Sequence, residues 1–202
     1  LVTFFFFYSG NQATIQYLES LNFTEPLFVF VIMVIAASKP VLEFCLFLVT
    51  RVAALLPVKK SVSFFWVTLA LVPLLGSFIT EPAAMTVAAL LLRDHYFSKK
   101  ISPKLMYAAL GVLFVNVSIG GTLTPYAAPP ILMVAAKWNW DSWYMLTHFG
   151  WKSAIAVFVN ALVTTLVFKR ELAHLPRAAK ADNTKMPFWV LVVHLVFLAG
   201  VV

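Results

Sequence analysis

Long apolar runs, separated by short clusters of basic and turn-forming residues, cover 1–8, 27–50, 61–92, 105–136, 153–168 and 187–202. Runs this long and this poor in charge are helices that cross or enter a bilayer, not faces of a soluble core. They predict an all-α integral membrane protein. Two of the runs have awkward lengths. Residues 61–92 make about 32 positions, or roughly 48 Å as one helix, whereas one span needs about 20 residues and two need about 40. Residues 105–136 are equally long, and their centre reads IGGTLTPYAAPP, with two glycines and three prolines.

Charge resolves the order of crossings. Most of the 15 Lys and Arg residues fall in three loops, 51–60, 93–104 and 169–186, while 10–26 and 138–151 have none. The excess of positive charge places the three basic loops in the cytoplasm and the other two segments outside. Residues 61–92 then begin and end on the same side, so they are read as a re-entrant helical hairpin, in over 61–75 and out over 83–92. Residues 105–136 must cross, and are read as a discontinuous transmembrane helix. Residues 153–168 return, and Trp138, Trp140, Trp143, Tyr144 and Trp151 form an aromatic belt at the outer face. Within 27–57, Lys39-Pro40 separates a span at 27–37 from a helix along the cytoplasmic surface at 41–56. Lys39 and Glu43 are read as snorkelling at that surface, with an ion pair near the pathway as the alternative.

Composition narrows the class. The chain of 202 residues is 62% hydrophobic and 11% charged, with mean hydropathy +0.91, against about a quarter charged in soluble domains. The net charge of +7 sits at the ends of apolar runs, which is a signal of membrane orientation and not of nucleic-acid binding. The single cysteine, Cys45, excludes an internal disulfide. Both ends lie inside apolar runs, so the chain is expected to be a fragment of a longer protein. Residues 1–185 would be one transporter repeat with a flexible cytoplasmic linker at 169–186, and 187–202 the start of the next.

The chemistry gathers at the two breaks. Glu81 is the one carboxylate in 61–92, and an acid at membrane depth is a functional-site hypothesis by default. Pro82 fits the first position of an outgoing half-helix, which puts Thr80 or Glu81 at its N-cap. Interrupted helices near the midplane are the usual site architecture of secondary transporters. The first break offers Ser77, Thr80, Glu81 and Thr86. The second offers Asn116, Ser118, Gly120, Gly121, Thr122 and Thr124, with Pro125, Pro129 and Pro130 breaking the helix as Pro82 does in the first. Hydroxyl, amide and carboxylate oxygens suit a hard cation such as Na⁺. Burial raises the Glu81 pKa and a helix N-terminus lowers it, so one carboxylate could hold a proton or a sodium ion in turn. That exclusion is sufficient for antiport, and it predicts Na⁺ at Glu81, Thr80 and Thr122 with no resident cofactor.

NVSIGGTLTPYAAPPILM (116–133) resembles the N-I-G-G-x-x-T-P-I-G-x-P-P-N signature of the ion transporter superfamily, and ITEPAAMT (79–86) occupies the place of its hairpin-tip motif. The resemblance covers roughly 26–170 and looks closest to the group labelled "putative Na⁺/H⁺ antiporters". It implies a fold of two inverted repeats, each with one hairpin and one broken span, of which this chain supplies one. The expected partners are therefore the lipid bilayer, the second repeat and a second copy as a homodimer, in a bacterial inner membrane. The chain departs from the pattern where Glu81 replaces Asp-Asn or Ser-Asn, where Tyr126-Ala127-Ala128 replaces Ile-Gly-x, and at Ile131.

The rival readings are a sodium-coupled transporter of organic anions, which Glu81 would repel, a non-transporting membrane subunit, and an intramembrane enzyme. No H-E-x-x-H, G-x-S-x-G or paired acids at helical spacing support the last. His95, His148 and His174 are expected to be solvated, His194 to be a core or proton-handling histidine, and Asn160 to hydrogen-bond between helices.

Overall fold

The computed structural model describes residues 2–20 and 39–175, together with the isolated helical positions Leu27, Phe30, Trp189, Val192, Val193 and Val196. Every element among the described residues is helical. The chain divides into two compact units, residues 1–31 and 32–202. In the first, helix α1 (Val2–Ser20) kinks at Gly10, whose φ of 82° is open to glycine alone at no steric cost. The Thr14 hydroxyl donates to the Gly10 carbonyl at 2.8 Å.

The second unit is built around helices α2 (Lys39–Leu55), α3 (Lys60–Ile79), α4 (Glu81–Leu92), α5 (Pro103–Gly120), α6 (Pro129–Trp138), α7 (Ser142–Met145), α8 (Trp151–Val167) and α9 (Lys169–His174). A π turn at Arg93–Phe97 continues α4, a 3₁₀ turn at Gly121–Leu123 continues α5, and a π turn at Leu146–Gly150 joins α7 to α8. Helix α3 is the centre. It packs against α2, α4, α5 and α8, and Phe65, Leu69 and Val72 along it are fully buried. Three stretches are long and apolar enough to cross a bilayer: Lys60–Ile79, Pro103–Leu123 and Ser142–Val167.

Pro73 lies inside α3. It has no N–H, so the carbonyl of Leu69, four residues back, loses its helical donor. The fully buried Asn116 of α5 supplies the replacement, with Nδ2 donating to Leu69 O at 2.8 Å. The same nitrogen donates to Val157 O on α8 at 3.2 Å, and Asn160 Nδ2 donates to Asn116 Oδ1 at 3.1 Å. One amide thus joins three helices where no water competes. Replacing Asn116 by Leu should leave the Leu69 carbonyl without a donor. The expected cost is about 1–3 kcal/mol, read as a lower unfolding temperature in detergent.

The two ends of the α3–α4 pair are fastened together. The Tyr96 hydroxyl donates to Ser61 O at 2.6 Å, and its ring meets Phe65 edge-on at 5.2 Å. Beside it, His95 is half-buried and stacks on Phe64 at 4.2 Å. Burial holds its pKa below the ordinary histidine value, against the opposing effect of its bond to Leu91 O. The expectation of a solvated His95 is therefore corrected, because Phe64 gives it an apolar wall. His148 and His174 are exposed.

Other expectations shift as well. The turn between α3 and α4 is the single residue Thr80, not a loop from about 75 to 83, because the helix continues through Pro73 once its lost bond is replaced. The helix expected over 41–56 runs from Lys39 to Leu55, and proline in its first turn costs no hydrogen bond. The Lys39 side chain, the span at 27–37 and His194 lie outside the described residues. The linker expected from 169 begins as helix α9, docked through the fully buried Leu172. Both oxygens of Glu171 are used there: Oε1 accepts from Ser102 N at 2.6 Å and Oε2 from Ser102 Oγ at 2.8 Å. Ser102 is itself the N-cap of α5, accepting from Leu105 N at 3.2 Å. Glu171→Ala should destabilise the protein by about 2 kcal/mol, since bonds to a charged acceptor are each stronger than neutral ones. Hydrogen exchange in the first turn of α5 should speed up.

Candidate functional site

Both helix interruptions follow from local chemistry. Thr124 (φ −133°, ψ 153°) precedes Pro125, and Ala128 (φ −133°, ψ 138°) precedes Pro129, as steric exclusion from the α region requires. Pro129 and Pro130 then open α6 without leaving an N–H to satisfy. At the other break, Pro82 stands in the first turn of α4, and Thr80 is the residue between the helices, with φ 77° and ψ 151°. A non-glycine residue held there costs on the order of 1–3 kcal/mol.

The two interruptions meet, and each satisfies the other's free backbone groups. Ser77 is fully buried. Its hydroxyl donates to Gly120 O at 2.6 Å and accepts from Leu123 N at 3.0 Å. The Thr124 hydroxyl donates to Ser77 O at 2.5 Å. Glu81 N, at the start of α4, donates to Ala127 O at 3.0 Å. A helix end leaves carbonyls and N–H groups without intrahelical partners, and in an apolar interior these must find partners within the protein. Gly120 permits the contact, because a Cβ there would lie 2.5 Å from the Pro73 oxygen and 2.7 Å from its carbon.

Glu81 is half-buried at this crossing, and its Oε1 accepts from the exposed Ser118 hydroxyl at 2.9 Å. Thr80 is buried, and its hydroxyl has no partner. These two residues come together with Ser77, Ser118, Gly120, Gly121 and Thr124. Thr122 stands to one side, donating to Ile119 O at 2.8 Å and in close contact with the Ser153 hydroxyl. Asn116 is committed to the α3–α5–α8 junction instead. Thr86 is exposed and donates to Pro82 O at 2.9 Å. Sequence reasoning passed over Ser153 and noted Tyr126 only as a departure from the family pattern, where it replaces an aliphatic residue in the second break. Among the described residues no three His, Cys, Asp or Glu side chains gather as a metal site.

Helices of membrane-crossing length around a mutually capped junction define a helical membrane protein. The whole chain, residues 1–202, matches the model of the family described as "Putative Na+/H+ antiporter", and it belongs to that family. It is thus a transporter and not an enzyme, and the exchange its family names is of sodium for protons. No curated protein and no solved structure matches the chain.

Proposed function

We propose that this chain carries the ion site of a sodium/proton antiporter, with Glu81 binding Na⁺ and H⁺ alternately. The observation that carries the reading is the crossing of the two interruptions, which holds a half-buried carboxylate at a helix N-terminus beside hydroxyl oxygens. In this reading α3 and α4 are a re-entrant hairpin. The bond from Tyr96 to Ser61 keeps entry and exit side by side, next to Lys59, Lys60, Lys99 and Lys100. Helices α5 and α6 are one discontinuous transmembrane helix, and the chain is one repeat of two. Na⁺ is held by Glu81 and Thr80, without the Thr122 ligand expected from the sequence, since that hydroxyl bonds Ile119 O and meets Ser153; the ions are cargo, with no cofactor. The loops 51–60, 93–104 and 169–186 face the cytoplasm of a bacterial inner membrane. A second repeat and a second copy cover the faces left open.

Because one carboxylate cannot hold both ions, sodium cannot enter until the proton leaves, and this exclusion couples the fluxes. The deciding experiment is sodium- and lithium-dependent proton flux in vesicles holding the full-length protein, with Glu81→Gln in parallel.

A further inference from the structure

Four buried side-chain polar atoms among the described residues have no hydrogen-bond partner: Trp66 Nε1, Thr68 Oγ1, Thr80 Oγ1 and the Tyr126 hydroxyl. The first two belong to α3, three turns or more before its end. The other two flank one bond. Glu81 N donates to Ala127 O at 3.0 Å, and Thr80 and Tyr126 are the residues just before its donor and its acceptor. A buried hydroxyl without a partner is destabilising, and here two such hydroxyls belong to the residues that flank one bond at the same crossing. The Thr124 hydroxyl lies beside Tyr126, but its own proton goes to Ser77 O at 2.5 Å, so it can meet the phenol only as an acceptor, which leaves the lone pairs of the phenol oxygen open.

Thr80 carries a second cost. Its φ of 77° with ψ of 151° is a conformation natural to glycine. Glycine would remove the strain and the stranded hydroxyl together, yet threonine stands here. Strain of this kind persists where function holds it.

We propose that Tyr126 is an ion-binding, specificity-determining residue. Its phenol oxygen and the Thr80 hydroxyl oxygen are neutral ligands for a dehydrated alkali-metal cation held against Glu81. This rests on the antiport reading and extends it to a residue outside the sequence-derived ligand set. Neutral hydroxyl oxygens suit a small hard cation. A phenol on a rigid ring offers its oxygen from a nearly fixed position, so it discriminates between ions of different radius where a flexible chain would adapt.

The test is proton flux driven by sodium or lithium in vesicles holding the full-length protein. Tyr126→Phe removes one oxygen and keeps the ring. The half-saturating sodium concentration should rise about tenfold, as for loss of one polar contact, with the maximal rate retained and the lithium-to-sodium preference altered. Thr80→Gly should raise the sodium requirement similarly while unfolding at an equal or higher temperature, and Thr80→Ser should restore wild-type behaviour. Unchanged half-saturation for both ions in Tyr126→Phe overturns the proposal, as does a lowered maximal rate with half-saturation unmoved. Should Tyr126→Phe fail to fold, Thr80→Gly decides by the same two criteria. Glu81→Gln is measured alongside. Normal exchange in that variant removes the carboxylate mechanism, while a shifted sodium requirement in Tyr126→Phe would still stand for an ion site at the crossing.

Discussion

Glu81→Gln should abolish sodium-dependent proton release while leaving the protein folded. Glutamine has nearly the shape of glutamate, and its side-chain oxygen can still accept from the Ser118 hydroxyl, which lies 2.9 Å from Glu81 Oε1. The backbone bond from residue 81 to Ala127 O at 3.0 Å is untouched. Glutamine neither titrates nor carries a charge, so it can neither exchange a proton nor neutralise a cation. Loss of a charged ligand worth roughly 3 kcal/mol lowers ion affinity about 10²-fold, and loss of the titrating group removes the coupling itself. Flux should therefore fall to the level of empty vesicles, with an unfolding temperature close to wild type. Wild-type exchange by the variant would mean that the carboxylate merely opens α4.

Gly120→Ala should have the largest effect on assembly. The added carbon would sit 2.5 Å from the Pro73 oxygen, 2.7 Å from its carbon and 3.1 Å from Leu74 N. All three are backbone atoms of α3, so no rotamer change relieves the clash. Helix α5 would have to move away, stretching the bond from Ser77 Oγ to Gly120 O. Overpacking of this kind typically costs about 1–3 kcal/mol, and the lost bond adds to it. A methyl group at Gly111, on the same helix, would meet nothing within 4 Å. Gly111→Ala should accordingly be neutral or stabilising by up to about 1 kcal/mol. Thermal unfolding of the pair in detergent separates the close approach from a general intolerance of α5 to alanine.

The helix interruptions were legible because they are written in local chemistry. Pro82, Pro125, Pro129 and Pro130 each restrict their own backbone and that of the preceding residue, and Gly120 and Gly121 adjoin them. Glu81 stood out through the scarcity of charge around it. The role of Asn116 was hidden, because it answers a carbonyl freed by Pro73 on another helix, and no pattern along the chain announces which distant residue will fill such a vacancy. The same blindness applied to the turn itself. Run length and the side of the flanking loops suggested an end to the first helix near 75, but the borrowed donor lets α3 run on to Ile79. His95 was placed in water because its neighbours in the chain are polar, while its actual neighbour in space is Phe64.

The Ser77 hydroxyl donates to one side of the second break and accepts from the other, and its carbonyl takes a third bond from Thr124. Prising the two interruptions apart would strip three partners at once in a place water does not reach. In the proposed antiport, a cycle that presents Glu81 to opposite compartments would then carry both interruptions together, as a solid block sliding past its surroundings, with the gates elsewhere.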